Sequence, residues 1–125
     1  MPRQWVAFPP NTLPVVWARL AQQRFRVLID TGAAGSLITP AAASSLGLRA
    51  VGTDRIIGVT GTVASVSLVE VIGVGIGPIE LLPFQAGVLE LELLRLGIQA
   101  ILGVNAFAGR RLQIDFLEGR VYLLQ

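Results

Sequence analysis

The sequence places a lone carboxylate at the end of an apolar run, in the segment Val27-Leu-Ile-Asp-Thr-Gly-Ala-Ala-Gly-Ser36. The pattern predicts a strand that leads Asp30 onto a tight turn, where Gly32 allows another backbone segment to come close. An acid in such surroundings is destabilising unless something pairs with it, so the pattern is typical of a functional site. The triplet Asp-Thr-Gly taken alone is also compatible with an ordinary turn capped by the aspartate.

The segments beside this stretch predict short strands and one helix. Residues 13–18 and 25–30 are apolar and are separated by a polar turn, which predicts a hairpin. Residues 40–46 predict a short helix, because Thr39 is a good N-cap and Gly47 would end it. The run that precedes Asp30 therefore belongs to a predicted hairpin strand.

The rest of the chain predicts further strands and a possible second helix. Residues 55–69 predict a β-ribbon with the glycines of Gly58-Val-Thr-Gly61 at its tip, preceded by a polar turn at residues 52–55. Ile101-Leu-Gly103 would be followed by a second short helix. The remaining predicted strands are residues 71–74, 79–84, 89–93, 112–116 and 121–124, of which 89–93 could instead form a short helix. Residues 75–78 separate the first two as a loop, and the last two form a closing hairpin. We therefore expect a single all-β domain over residues 1–125 with one or two short helices, and we assign no role to residues 87–98.

Composition excludes several classes of protein. With 53% hydrophobic and 14% charged residues the chain is too apolar to be disordered, and part of its surface is expected to be covered by a partner. Cysteine and histidine are absent, which removes thiolate and Ser-His nucleophiles and the commonest metal ligands. Carboxylate chemistry remains for hydrolysis, and we expect neither metal nor cofactor.

Charge and hydropathy point to a chain that acts in the cytoplasm. The ten cations are all Arg, are scattered along the sequence and leave a net charge of only +2, so no nucleic-acid partner is expected. Acidic residues interrupt the apolar runs, and the N-terminus lacks the apolar core of a signal peptide. We expect no membrane span.

Two motifs together give the sequence a family resemblance. Asp30-Thr31-Gly32-Ala33 with Ser36, followed about seventy residues later by Ile101-Leu102-Gly103, resembles the retroviral-type (retropepsin-like) aspartic peptidases over residues 13–124. Between these motifs the family has a glycine-rich flap, which Gly58, Val59, Thr60 and Gly61 would supply here. The resemblance implies an acid-protease barrel whose terminal strands interleave with those of a second subunit.

The resemblance implies an aspartic endopeptidase that uses two carboxylates. Close carboxylates share one proton, so that one activates a water molecule and the other protonates the leaving nitrogen. Asp54 and Asp115 are not followed by Thr-Gly or Ser-Gly, so the second acid is expected to be Asp30 of another copy. We therefore expect a homodimer that cleaves extended, largely apolar peptides and an inactive monomer.

The resemblance also implies roles for the residues after Asp30. The Thr31 hydroxyl would form a hydrogen bond with the active-site loop of the partner copy. The Gly32 carbonyl oxygen would accept a hydrogen bond from the peptide substrate. Ala33 cannot donate the hydrogen bond that Ser gives the ionised dyad in some relatives, so we expect activity at mildly acidic to neutral pH. Ala34 and Val104 occupy positions where retroviral members often carry an acidic residue and an Arg, which form an ion pair near the dimer interface.

Two other interpretations remain open from the sequence. A catalytically inactive member of the same fold would act as a dimerisation or peptide-binding module. A β-barrel structural protein with a chance match to the motif would be a monomer in solution.

Overall fold

The chain folds as short β-strands in two sheets, seen in a computed structural model that describes residues 5–57, 60–90 and 95–124. The strands in these ranges are β1 (Trp5–Ala7), β2 (Val15–Leu20), β3 (Gln23–Ile29), β4 (Ser36–Ile38), β5 (Arg49–Ile57), β6 (Val63–Val71), β7 (Gly75–Ile76), β8 (Ile79–Glu80), β9 (Phe84–Val88), β10 (Ala100–Leu102), β11 (Arg111–Asp115) and β12 (Arg120–Leu124). Helix α1 (Pro40–Ser45) follows β4, and a 3₁₀ helix (Val104–Phe107) follows β10. Neither helix has the length and apolar content that crossing a bilayer needs. The predicted all-β class with one or two short helices is confirmed.

Strands β2 and β3 form the predicted hairpin. Their register pairs Leu20 with Gln23 across a two-residue turn, in which Ala21 and Gln22 have φ values of 50° and 67°. A two-residue turn with positive φ at both positions has a backbone twist that matches the right-handed twist of the flanking strands. Within β3 Val27 and Ile29 are almost completely buried, so the apolar run before Asp30 is anchored in the core.

Helix α1 begins and ends where local sequence signals predict. The Thr39 hydroxyl accepts a hydrogen bond from the Ala42 N–H at 3.2 Å, and Gly47 follows the helix with a φ of 65°. Ala42 and Ala43 pack against the core, so the helix covers one side of the larger sheet.

The larger sheet has the order β5-β6-β9-β4-β10-β3-β2-β7-β8. Strand β10 lies between β3 and β4, parallel to β3 and antiparallel to β4. It therefore bridges the two strands that flank residues 30–35 and holds both ends of that loop.

Strands β5 and β6 form the predicted ribbon, with Ile57 opposite Val63 near the tip. The ribbon begins at Arg49, so the polar turn predicted at residues 52–55 is wrong. That segment carries Gly and polar residues because nearly all of β5 is exposed, and pairing with β6 rather than burial makes it a strand.

The second sheet has the order β1-β12-β11 and contains the predicted closing hairpin. Strand β1 pairs antiparallel with β12, which gives the residues before Leu13 an edge position that the sequence did not assign. Residues 75–76, predicted as part of a loop, form β7 instead. Of the segment predicted as a strand at residues 89–93, Leu89 and Glu90 lie outside regular structure, and 91–93 lie outside the described ranges.

Candidate active site

Asp30 is the first residue after β3 and is fixed by backbone hydrogen bonds. Its N–H donates to the Leu102 carbonyl oxygen at 2.9 Å, and its own carbonyl oxygen accepts from the Ala33 N–H at 3.2 Å. One carboxylate oxygen, Oδ1, accepts from the Gly32 N–H at 3.0 Å. The carboxylate is half-buried, so the loop presents it at the surface in one defined orientation.

The segment after β10 packs against this loop at backbone distance. The Val104 N–H donates to the Ala33 carbonyl oxygen at 2.8 Å, and the Asn105 N–H donates to the Ala34 carbonyl oxygen at 3.2 Å. A side chain at Gly103 would collide with the carbonyl oxygen of Gly35 and would lie 2.5 Å from that of Ala33. Glycine is required here because two backbones touch.

A buried hydroxyl joins the two motifs. Ser36 is 4% exposed; its Oγ donates to Asn105 Oδ1 at 2.7 Å and accepts from the Gly103 N–H at 3.0 Å. Asn105 Nδ2 in turn donates to the Gln85 carbonyl oxygen at 2.8 Å, which ties the pair to β9. Sequence reasoning missed the role of Asn105. The available signal was an amide side chain two residues after the glycine of the second motif.

We expect Ser36→Ala to lower the free energy of unfolding by about 1–3 kcal/mol, because the buried Gly103 N–H loses its acceptor. Urea unfolding of wild type and variant measures this difference. The matched control is Ser44→Ala on the exposed side of α1, which we expect to change stability by less than about 0.5 kcal/mol. Equal stability of the two variants would contradict the structural role of the Ser36 hydroxyl.

A cleft of about 530 Å³ opens beside the loop. The ribbon forms one wall, the loop from Ala33 onward forms another, and Gln85 and Asn105 line it as well. The side chains of Leu37, Ile56 and Val66 converge above Gly87, where an added Cβ would lie 3.1–3.5 Å from them. The cleft is thus largely apolar, with a few polar groups among its lining residues.

The structure brings most of the sequence-predicted residues together. Asp30, Thr31, Gly32 and Ala33 share one loop, and Ser36 begins β4 directly after it. Leu102 and Gly103 form hydrogen bonds with Asp30 and Ser36, and Ile101 pairs with the strands on both sides of the loop. Thr60 and Gly61 lie at the ribbon tip, whereas Gly58 and Val59 lie outside the described residues.

The other two aspartates lie in different elements. Asp54 is in β5, and Asp115 is in β11, where its Oδ1 accepts from the Glu118 N–H at 2.9 Å and closes a turn. In the described part of the chain, no three side chains of metal-binding type are close enough to share an ion.

Comparisons with known proteins agree with this geometry. A family model described as "Aspartyl protease" matches residues 16–106, a span that contains the loop, the ribbon and β10. The comparison with curated proteins found no match.

Two solved structures share the retropepsin-like fold. A retropepsin-like aspartic protease from Rickettsia conorii is 17% identical, with a TM-score of 0.63 over 96% of this chain and 87% of its own. The retroviral protease-like domain of Ddi1 from Leishmania major is 19% identical, with a TM-score of 0.57 over 91% of this chain and 95% of its own. At these identities the likeness establishes the fold.

Proposed function

Because this chain belongs to the aspartyl protease family, we propose that it is an aspartic endopeptidase whose catalytic dyad consists of Asp30 from each of two copies. The observation that carries the proposal is the lone carboxylate on the loop clamped by β10. Its backbone is fixed by bonds to Leu102 and Ala33, and the remaining aspartates of the chain belong to other elements. A second acid of the same kind is available from a second copy.

The surface beside Asp30 supports a subunit contact. Thr31 and Gly32 are exposed, and the Val104 side chain, which adjoins the loop, is 56% exposed. Val104 and Ala34 carry no charge, so a two-fold contact here would bury apolar surface without burying an unpaired charge. In this proposal Thr31 bonds the loop of the partner copy and fixes the distance between the two carboxylates.

The dyad would act as acid and base in one step. Two adjacent carboxylates hold a single proton between them, because ionisation of both is unfavourable. The ionised Asp30 removes a proton from a bound water molecule, whose oxygen attacks the scissile carbonyl carbon. The protonated Asp30 donates a hydrogen bond to the carbonyl oxygen and then delivers its proton to the leaving nitrogen.

The cleft would hold the peptide in an extended conformation. In this proposal the Gly32 carbonyl accepts a hydrogen bond from the peptide backbone on the loop side, and the ribbon tip, which includes Thr60 and Gly61, closes over the peptide as a flap. Backbone pairing gives affinity for any extended segment, and pockets for alternate side chains give selectivity. The apolar side chains of Leu37, Ile56 and Val66 favour a peptide with apolar side chains at most positions.

The proposal is tested by measuring peptide cleavage as a function of enzyme concentration. Since each active site needs two chains, we expect activity per chain to fall in proportion to concentration once the dimer dissociates. Sedimentation under the same conditions should show mass falling from twice 13.3 kDa to 13.3 kDa together with activity.

The outcomes separate the three interpretations. Full activity in a purely monomeric sample would refute the shared dyad. A dimer that binds peptides but cleaves none at any concentration would identify the catalytically inactive module, and a monomer that neither binds nor cleaves would identify a structural protein.

A further inference from the structure

The two faces of the β5–β6 ribbon are chemically different. Directly opposite residues of an antiparallel pair share a face, and successive residues alternate between faces. Val66 is 5% exposed and lines the cleft, and its partner across the ribbon is Asp54. Asp54 therefore lies on the inner face of the ribbon, the face that looks onto the cleft.

Among the described residues that line this cleft, Asp54 is the one with an acidic side chain. Ile56 and Leu68, which share its face, are apolar and half-buried. Arg55 belongs to the outer face by strand alternation, but it also lines the cleft, and its guanidinium makes no salt bridge with Asp54. The cleft thus combines an apolar wall with one carboxylate, which is not ion-paired to the neighbouring Arg55.

Asp54 forms no salt bridge with a cation of the described residues. The ion pair found there joins Arg49 and Glu70 at 3.4 Å and does not involve Asp54. Asp54 Oδ1 accepts a hydrogen bond from the Arg55 N–H at 2.7 Å, which orients the side chain without forming an ion pair. A ligand that enters the cleft would meet this charge.

We propose that Asp54 is a specificity-determining residue that selects a Lys or Arg side chain of the bound peptide. Such side chains have an aliphatic stem that can lie along Ile56 and Val66 and a cationic head that can reach the carboxylate. The inference rests on the proposed function, because it assumes that this cleft receives a peptide. It refines the expectation of an apolar peptide by requiring a basic residue at one subsite.

The two-fold dimer duplicates the subsite. Each copy contributes its own ribbon, so a peptide that lies across the dyad would meet one Asp54 on each side of the scissile bond. The preference for Lys or Arg should therefore appear at two positions, one on each side of the cleaved bond and equally distant from it.

The experiment compares peptides that differ only in Lys against norleucine, which has the same chain length without the charge, at each position around the cleaved bond. We expect wild-type kcat/KM to favour Lys by about 5-fold to 20-fold at the preferred positions and to lose most of this preference at high salt. Asp54→Asn should bring the Lys-to-norleucine ratio close to one. The matched control, Asp115→Asn in β11, should keep the wild-type ratio.

A second readout separates this inference from the proposed function. Binding of the same peptides to Asp30→Asn, measured by fluorescence anisotropy, reports the preference without any cleavage. A Lys preference in binding that disappears in the Asp30→Asn, Asp54→Asn double variant supports the role of Asp54 even if wild type cleaves no peptide. The inference is overturned if Lys and norleucine peptides are equivalent in both assays, if the preference survives Asp54→Asn, or if no peptide binds.

Discussion

Asp30→Asn is expected to reduce kcat/KM for peptide cleavage by about 10³-fold or more while leaving the free energy of unfolding nearly unchanged. Asn has the same shape and can still accept the hydrogen bond that the Gly32 N–H gives to Oδ1. It cannot take a proton from water or share one with a second carboxylate. A cleavage assay and urea unfolding of the same preparation measure the two effects separately.

The activity of mixed dimers gives a second, quantitative test of this prediction. If equal amounts of wild type and Asp30→Asn are unfolded and refolded together, random pairing leaves about one quarter of the dimers with Asp30 in both copies. Activity should then be about a quarter of that of the same total amount of wild type. Retention of half the activity would mean that each chain works independently, and full activity in Asp30→Asn alone would exclude Asp30 as the catalytic acid.

Gly103→Ala is expected to destabilise the fold by about 3 kcal/mol or more and to remove activity in the fraction that folds. The new Cβ would meet the carbonyl oxygens of Gly35 and Ala33, which are backbone atoms and cannot rotate away as the end of a side chain can. The loop must therefore move away from β10, and this movement would lengthen the hydrogen bond from the Asp30 N–H to the Leu102 carbonyl oxygen. Urea unfolding measures the loss of stability.

The control for this prediction is Gly52→Ala on the exposed ribbon. A Cβ at Gly52 meets nothing within 4 Å, so the same substitution should change stability by less than about 0.5 kcal/mol. Equal stability of Gly103→Ala and wild type would show that the contact between the two backbones is looser than the structure indicates.

Elements with strong local signals could be predicted from the sequence. Helix α1 was predicted to within one residue, because the Thr39 cap, the proline at the first turn and Gly47 all act within a few residues of it. The β2–β3 hairpin and the closing β11–β12 hairpin were predicted for the same reason, since each consists of neighbouring segments.

Features that depend on distant parts of the chain could not be predicted in this way. Residues 52–55 carry turn-forming side chains, yet they form a strand because β6 supplies their hydrogen bonds. The sequence does not encode locally that β10 enters between β3 and β4, which follows from how the whole sheet packs. The hydrogen bond between Ser36 and Asn105 depends on that insertion, so Asn105 could not be assigned a partner before the structure.

The insertion of β10 also has a consequence for when the Asp30 loop can form during synthesis of the chain. The contacts that shape the Asp30 loop join residues some seventy positions apart, so we expect this region to form late in folding. A growing polypeptide whose residues 100–105 are still inside the ribosome lacks the hydrogen-bond partners of its Asp30 loop. The hydrogen bonds that fix this loop therefore form only after residues 100–105 have been synthesised.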